Sequence, residues 1–316
     1  MITIAMNGGL GNQLFQVFAA LAAAIRNGDT CYFLHTVRDA SGKRGTYWHT
    51  LFHALRPLTV IATQANVVRF MQLPTYQEPG FNYTPLPRQT TMNSTPLKLA
   101  GYFQSEKYFA DVRDDVYEKL QLLEQQRRVR DMFKESAWFS CDAAATVAMH
   151  FRIGDYKAIS DKHPILTLEY YRRALNHVIQ HVAINDVAIN DVANHGKINV
   201  LIFNQECDNA VVLDHMQQLS TSAEFAHRCR FHKVPDMFED WKQMLLMSVC
   251  DHNIIANSTF SWWSAYLNQN PGKIVCYPGT WFGPALKKHD TRDLFPKEWI
   301  KVNSLLPPCL PPCLPR

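Results

Sequence analysis

The chain opens on strand, glycine-rich loop, helix and strand, and this order limits its fold more than any other feature. Residues 2–6 are a short apolar run, followed by the loop Asn7-Gly8-Gly9-Leu10-Gly11-Asn12. Residues 13 to about 27 read as a helix ended by Gly28, and Cys31-Tyr32-Phe33-Leu34 reads as the next strand. A strand that returns parallel to its predecessor needs a helical crossover, so the opening predicts a Rossmann-like βαβ unit in an α/β protein.

The same alternation resumes near Ala143. Strands are expected around Val147, Val200, Ile254 and Ile274, with helices over 168–181, 236–247 and 260–268. Between the two regions, residues 39–95 are rich in Pro, Thr, Asn and aromatic residues without clear periodicity, and read as long loops with short helices. A strand over 97–103 and an exposed helix over 111–130 complete the first half. Two alternating halves predict two Rossmann-like domains facing a cleft, residues 1–140 and 141–304. A proline-rich tail, 305–316, is expected to be disordered. Two tandem duplications, Ile184-Asn185-Asp186-Val187-Ala188 repeated at 189–193 and Pro307-Pro308-Cys309-Leu310 repeated at 311–314, have no solenoid period. The first reads as a loop insertion.

Composition narrows the partners. With 47% hydrophobic and 19% charged residues the chain is that of a folded soluble protein. A net charge of +4 suits a small anionic ligand and falls short of a nucleic-acid footprint. The densest basic run, Arg127-Arg128-Val129-Arg130, reads as the solvated end of a helix. The eight cysteines form no Cys-x-x-Cys, and several lie in apolar runs as buried thiols do, which predicts a reducing compartment. A strand begins at once, and the apolar run over 17–25 is too short to span a bilayer, so a soluble, cytoplasmic protein with no membrane span is expected.

Three segments carry chemistry. Gly8-Gly9-Leu10-Gly11-Asn12-Gln13 allows close backbone approach and presents the free N–H groups of a helix start to an anion, although its spacing fits neither the dinucleotide fingerprint nor a Walker A loop. His150-Phe151-Arg152-Ile153-Gly154-Asp155-Tyr156 stands at the carboxyl end of an apolar strand, where ligands bind in open α/β sheets. Arg152 offers a planar charged fork matched to phosphate oxygens, and His150 beside it a donor to a phosphate or sugar hydroxyl. Asn257-Ser258-Thr259-Phe260-Ser261-Trp262-Trp263 brings three N-cap residue types to a helix start, where capping alone needs one, and Phe260 can wall a base or sugar pocket. Other signals fail. No acidic ligand completes a zinc site at His49/His53 or His177/His181, no Asp-x-Asp occurs, and no Gly-x-Ser-x-Gly elbow is present.

Together these segments resemble the α-1,2-fucosyltransferases of glycosyltransferase family 11, within the wider α-1,2/α-1,6/protein-O-fucosyltransferase superfamily. Gly101-Tyr102-Phe103-Gln104-Ser105-Glu106-Lys107-Tyr108-Phe109 and Met247-Ser248-Val249-Cys250-Asp251-His252 extend the similarity nearly end to end. The resemblance implies a GT-B-like fold, a GDP-fucose donor, no metal cofactor and inversion at the fucose anomeric carbon. It implies that Arg152 grips the diphosphate and offsets charge on the departing GDP. Ser258, Thr259 and Phe260, after Asn257, would line phosphates and nucleoside, and Gly11, Asn12 and Gln13 would close over the donor from the other domain. Asp155 would act as a base or orient Arg152. Two departures stand out: the family's paired arginines become Arg152-Ile153, and its Phe-Ser-Asp-Asp becomes Phe203-Asn204-Gln205-Glu206. The implied reaction is fucose transfer to the 2-hydroxyl of a terminal galactose on a glycan acceptor. Another GDP-sugar or acceptor hydroxyl, or a non-catalytic GDP-sugar or glycan-binding role, are the alternatives.

Overall fold

Ile2, Thr3 and Ile4 are all buried, as a strand covered on both faces of a parallel sheet must be. They form β1 (Ile2–Ile4) of a computed structural model that describes residues 1–87, 95–139, 143–185 and 196–303. The chain continues through α1 (Leu10–Arg26), β2 (Phe33–His35), β3 (Thr59–Ile61), α2 (Gln64–Met71), β4 (Thr75–Gln77), β5 (Leu97–Ala100), α3 (Arg113–Leu120) and α4 (Leu122–Phe133). Strands β1, β5 and β4 make a parallel sheet in the order β1-β5-β4, and β2 pairs parallel with β3. Helix α1 is buried from Gln13 through Ala24, which accounts for its continuous apolar run. Among the described residues no helix is long and apolar enough to cross a membrane.

Two N-terminal expectations need correction. Helix α1 starts at Leu10 with extended Gly9 as its N-cap, so Leu10, Gly11 and Asn12 belong to its first turn rather than to the loop before it. The single exposed helix expected over 111–130 is two helices, broken at Gln121 in the left-handed region (φ 53°), with Val116, Tyr117, Leu120, Leu122 and Val129 buried. Arg127 and Arg128 do point to solvent, paired with Glu124.

The second half runs β6 (Thr146–His150), α5 (Leu168–Asn185), β7 (Ile198–Phe203), α6 (Asn209–Thr221), β8 (Cys229–Lys233), α7 (Asp240–Ser248), β9 (His252–Ile254), α8 (Thr259–Leu267), β10 (Val275–Pro278) and β11 (Ile300–Val302). Its six strands are all parallel, in the order β8-β7-β6-β9-β10-β11. Read from β6, the chain moves outward to β7 and β8, then returns to the other side at β9. This is the doubly wound order with its switch point between β6 and β9, where a crevice opens beyond the strand ends. The fold is α/β, with parallel sheets in both halves. The tandem repeat at 184–193 begins in the last two residues of α5, and its remainder, like the proline-rich tail, lies outside the described residues.

The halves are not packed as independent bodies. One core lies between the second sheet and α5 and α6, around Val147, Met149, Tyr170, Val178, Val200 and Val212. A larger core is common to both halves and gathers α1, α3 and α4 with α7 and α8. The Phe15 ring lies 4.4 Å from Trp262 and 4.9 Å from Trp263, and Phe18 lies 4.5 Å from Trp263. Each such aromatic pair adds about 0.5–1.5 kcal/mol beyond area burial. Polar contacts reinforce the seam: Gln126 donates to the Ser248 hydroxyl and to the Leu267 carbonyl. Cys31, Cys229, Cys250 and Cys276 are buried free thiols.

Candidate active site

The switch point places the ends of β6 and β9 side by side. Strand β6 is buried throughout and delivers His150, after which the backbone turns at Gly154. The Gly154 N–H donates to the Asp208 carboxylate at 2.7 Å, and the Lys157 ammonium meets the other oxygen at 3.4 Å. Asp208, itself buried, therefore fixes the turn that carries Arg152. The Arg152 Nη2 donates to Asp155 at 2.9 Å, and its guanidinium lies 5.3 Å from the Tyr156 ring centre. Its Nε is buried with no protein partner. Tyr156 in turn donates to the Asn257 carbonyl at 2.9 Å, tying this turn to the loop after β9. Ile153 is buried in the core under the second sheet, so that position offers no charge to the cleft.

His150 lines the cleft with its ring 5.4 Å from Phe260. Burial, with the neighbouring Arg152 charge, pushes its pKa down to about 3, so it is a neutral imidazole at working pH. Beyond β9, Ser258 caps α8 by accepting from the Phe260 N–H at 3.3 Å. The positive end of the α8 dipole thus faces the cleft through Ser258, Thr259 and Phe260. Asn257 is buried and donates to the carbonyls of Pro164 and Trp281, while its Oδ1 is left without a partner at the cleft wall.

The opposite wall comes from the first half. Gly8 sits in the left-handed region (φ 83°), where an added Cβ would fall 2.5 Å from the Asn12 side chain. A Cβ on Gly11 would fall 2.4 Å from the Thr259 backbone, so this glycine lets α1 and α8 touch. Asn12 Oδ1 accepts from the Gln104 amide at 3.0 Å and the Thr259 hydroxyl at 2.9 Å. Gln13 does not reach the cleft: it is fully buried, and its amide donates to the carbonyls of Gly8 and Gly45. Its expected contact with the donor is therefore corrected to a brace for the two loops. Asp155 is likewise absent from the cleft lining. Its carboxylate is engaged by Arg152 and, at 3.4 Å, by Arg44, which favours the orienting role over that of a base.

Between the walls lies a cleft of about 1000 Å³. That is the upper end of small-molecule site volumes, roughly 300–1,000 Å³. Gly11, Asn12, His150, Arg152, Asn257, Ser258, Thr259 and Phe260 all line it. So do Lys43, Arg44, Tyr102 and Gln104. The first two come from the segment that showed no readable chemistry, and their organiser is Asp39. This buried carboxylate accepts from the N–H groups of Gly8, Lys43 and Arg44 and from the Ser41 hydroxyl. Burial alone would raise its pKa, but these hydrogen bonds outweigh it and hold it below the usual carboxylate value. The available signal was Asp39 followed by Ser41-Gly42-Lys43-Arg44-Gly45, turn residues framing two cations. Among the described residues no three His, Cys, Asp or Glu side chains converge as metal ligands.

The chain is 26% identical to the O-antigen biosynthesis glycosyltransferase WbnK of Escherichia coli, over 94% of this chain and 99% of that protein. It is 21% identical to an alpha-1,2-colitosyltransferase of Escherichia coli, over 65% of this chain and 62% of that protein. It is also 21% identical to a galactoside 2-alpha-L-fucosyltransferase of Caenorhabditis elegans, over 94% of this chain and 75% of that protein. The family profile described as Glycosyl transferase family 11 matches residues 1–303, and the chain belongs to that family of glycosyltransferases.

Proposed function

We propose that the protein transfers L-fucose from GDP-fucose to the 2-hydroxyl of a terminal galactose. The observation that carries the reading is the convergence of the Arg152 guanidinium and the α8 N-terminus at the β6–β9 switch point. Both are suited to a diphosphate, one by its charged planar fork and the other by free N–H groups. The acceptor hydroxyl oxygen attacks the anomeric carbon opposite the leaving group and gives up its proton to water, the bond from that carbon to the diphosphate oxygen breaks, and configuration inverts. Negative charge grows on the departing GDP, and Arg152, oriented by Asp155, stabilises it in place of a metal ion. The 2-linkage is supported by two relatives, one a galactoside 2-alpha-L-fucosyltransferase and the other an alpha-1,2-colitosyltransferase. The second of these also favours a runner-up reading, the same linkage made with a different sugar.

The test is incubation of purified protein with GDP-fucose and a panel of galactosides, with Arg152→Ala as control. Transfer to a terminal galactose, lost in the variant and indifferent to EDTA, is the expected result. Transfer only from another nucleotide sugar selects the runner-up. Binding of GDP-fucose without transfer or hydrolysis overturns the catalytic reading, and loss of activity in EDTA overturns its metal-free part.

A further inference from the structure

Arg152 is not the only guanidinium at the diphosphate end of the cleft. Arg44 reaches from the first half so that its Nη2 lies 3.4 Å from Asp155 Oδ2, the same oxygen that accepts from Arg152 Nη2 at 2.9 Å. One carboxylate oxygen therefore holds two arginines from opposite halves close together, both lining the cleft.

The backbone beneath Arg44 is fixed from three directions. Its N–H donates to Asp39 at 3.1 Å, its carbonyl accepts from the Asp39 N–H at 2.8 Å, and the next carbonyl, Gly45, accepts from Gln13 at 2.8 Å. Because Asp39 also holds the Gly8 N–H at 2.9 Å, the Arg44 loop and the glycine turn keep one mutual position. The side chain itself is loosely committed. The Arg44 and Asp155 side chains are 55% and 44% exposed, and an ion pair so open to water contributes about 0–1 kcal/mol. A diphosphate, with more charge and more acceptor oxygens, outcompetes a single shared carboxylate for such a group.

We infer that Arg44 is a second diphosphate-binding residue, released from Asp155 when the nucleotide enters, so that the donor is clamped by one arginine from each half. This rests on the reading of the cleft as a nucleotide-sugar site. It makes Asp155 a placeholder anion that keeps two like charges together while the cleft is empty.

Calorimetric titration with GDP and with GMP, on wild type, Arg44→Ala, Arg44→Gln and Arg152→Ala, tests it. Both Arg44 variants are expected to bind GDP about ten- to a hundred-fold more weakly, as loss of a charge-assisted hydrogen bond implies. Affinity for GMP should change much less, whereas a structural fault would weaken both nucleotides alike. If Arg152→Ala loses GDP affinity while both Arg44 variants bind GDP as wild type does, the second-arginine assignment is overturned and the donor-site reading stands. If wild type binds no GDP, that reading fails and the assignment fails with it. An Arg44 variant with intact GDP binding and a raised KM for acceptor would also overturn it, by moving Arg44 to the acceptor.

Discussion

Asn12 accepts a hydrogen bond from the hydroxyl of Thr259 at 2.9 Å, joining the first turn of α1 to the first turn of α8 across the two halves of the molecule. Both residues also line the cleft, so the seam between the halves and the floor of the site are the same piece of structure. Asn12→Ala should leave the half-buried Thr259 hydroxyl and the Gln104 amide short of an acceptor. We expect a loss of about 1–3 kcal/mol in denaturant unfolding, and weaker donor binding alongside it.

Gly11→Ala should be more damaging than its size suggests. The new methyl would lie 2.4–2.7 Å from backbone atoms of Thr259 and Phe260, none of which can rotate away. Overpacking of this kind costs about 1–3 kcal/mol. A melting temperature equal to that of wild type would show that the helices separate freely.

The common core predicts one unfolding event. Phe15 and Phe18 of the first half are packed on Trp262 and Trp263 of the second, and all four rings are fully buried. Scanning calorimetry should give a single transition, and residues 143–303 expressed alone should fail to fold. Phe15→Ala should lower stability by about 3–5 kcal/mol without splitting the transition.

Acid should destabilise the fold through two buried histidines. Burial, with Arg152, takes His150 down to about 3, and burial takes His252 down to about 4, both from an ordinary 6.5. Below pH 6.5 the unfolded chain binds protons that the native state refuses, so their stabilisation is complete above that pH and lost as pH falls toward 4 and 3. Denaturant midpoints measured from pH 7.5 to 4 should fall, and His252→Asn should flatten the slope. Because His150 stays neutral, the activity profile should show no step near pH 6.5 that His150→Asn removes.

What the sequence disclosed divides along physical lines. Strands β6, β7, β9 and β10 lie in or near the sheet centre, and their apolar runs gave them away. Strands β8 and β11 are the sheet edges: β8, Cys-Arg-Phe-His-Lys, is mostly half-buried and carries no apolar run to read. The placement of Arg152, Ser258 and Thr259 at the cleft is legible because each stands beside a strand end or helix start. That of Asp39 and Arg44 is not, since their meaning lies in partners 31 and 111 positions away. Gln13 was misread for the opposite reason: its neighbours suggested a ligand, while its buried amide serves two backbone carbonyls.

The missing side chain of Gly11 has a consequence for how the site can change. Two helix backbones in contact, backed by four aromatic rings, resist tilting of one half against the other at the floor of the cleft. On such a frame, exchange of rim side chains changes what the cleft can hold at less cost than a tilt of one half against the other. Diversification on this frame is a matter of lining, with the walls held where they stand.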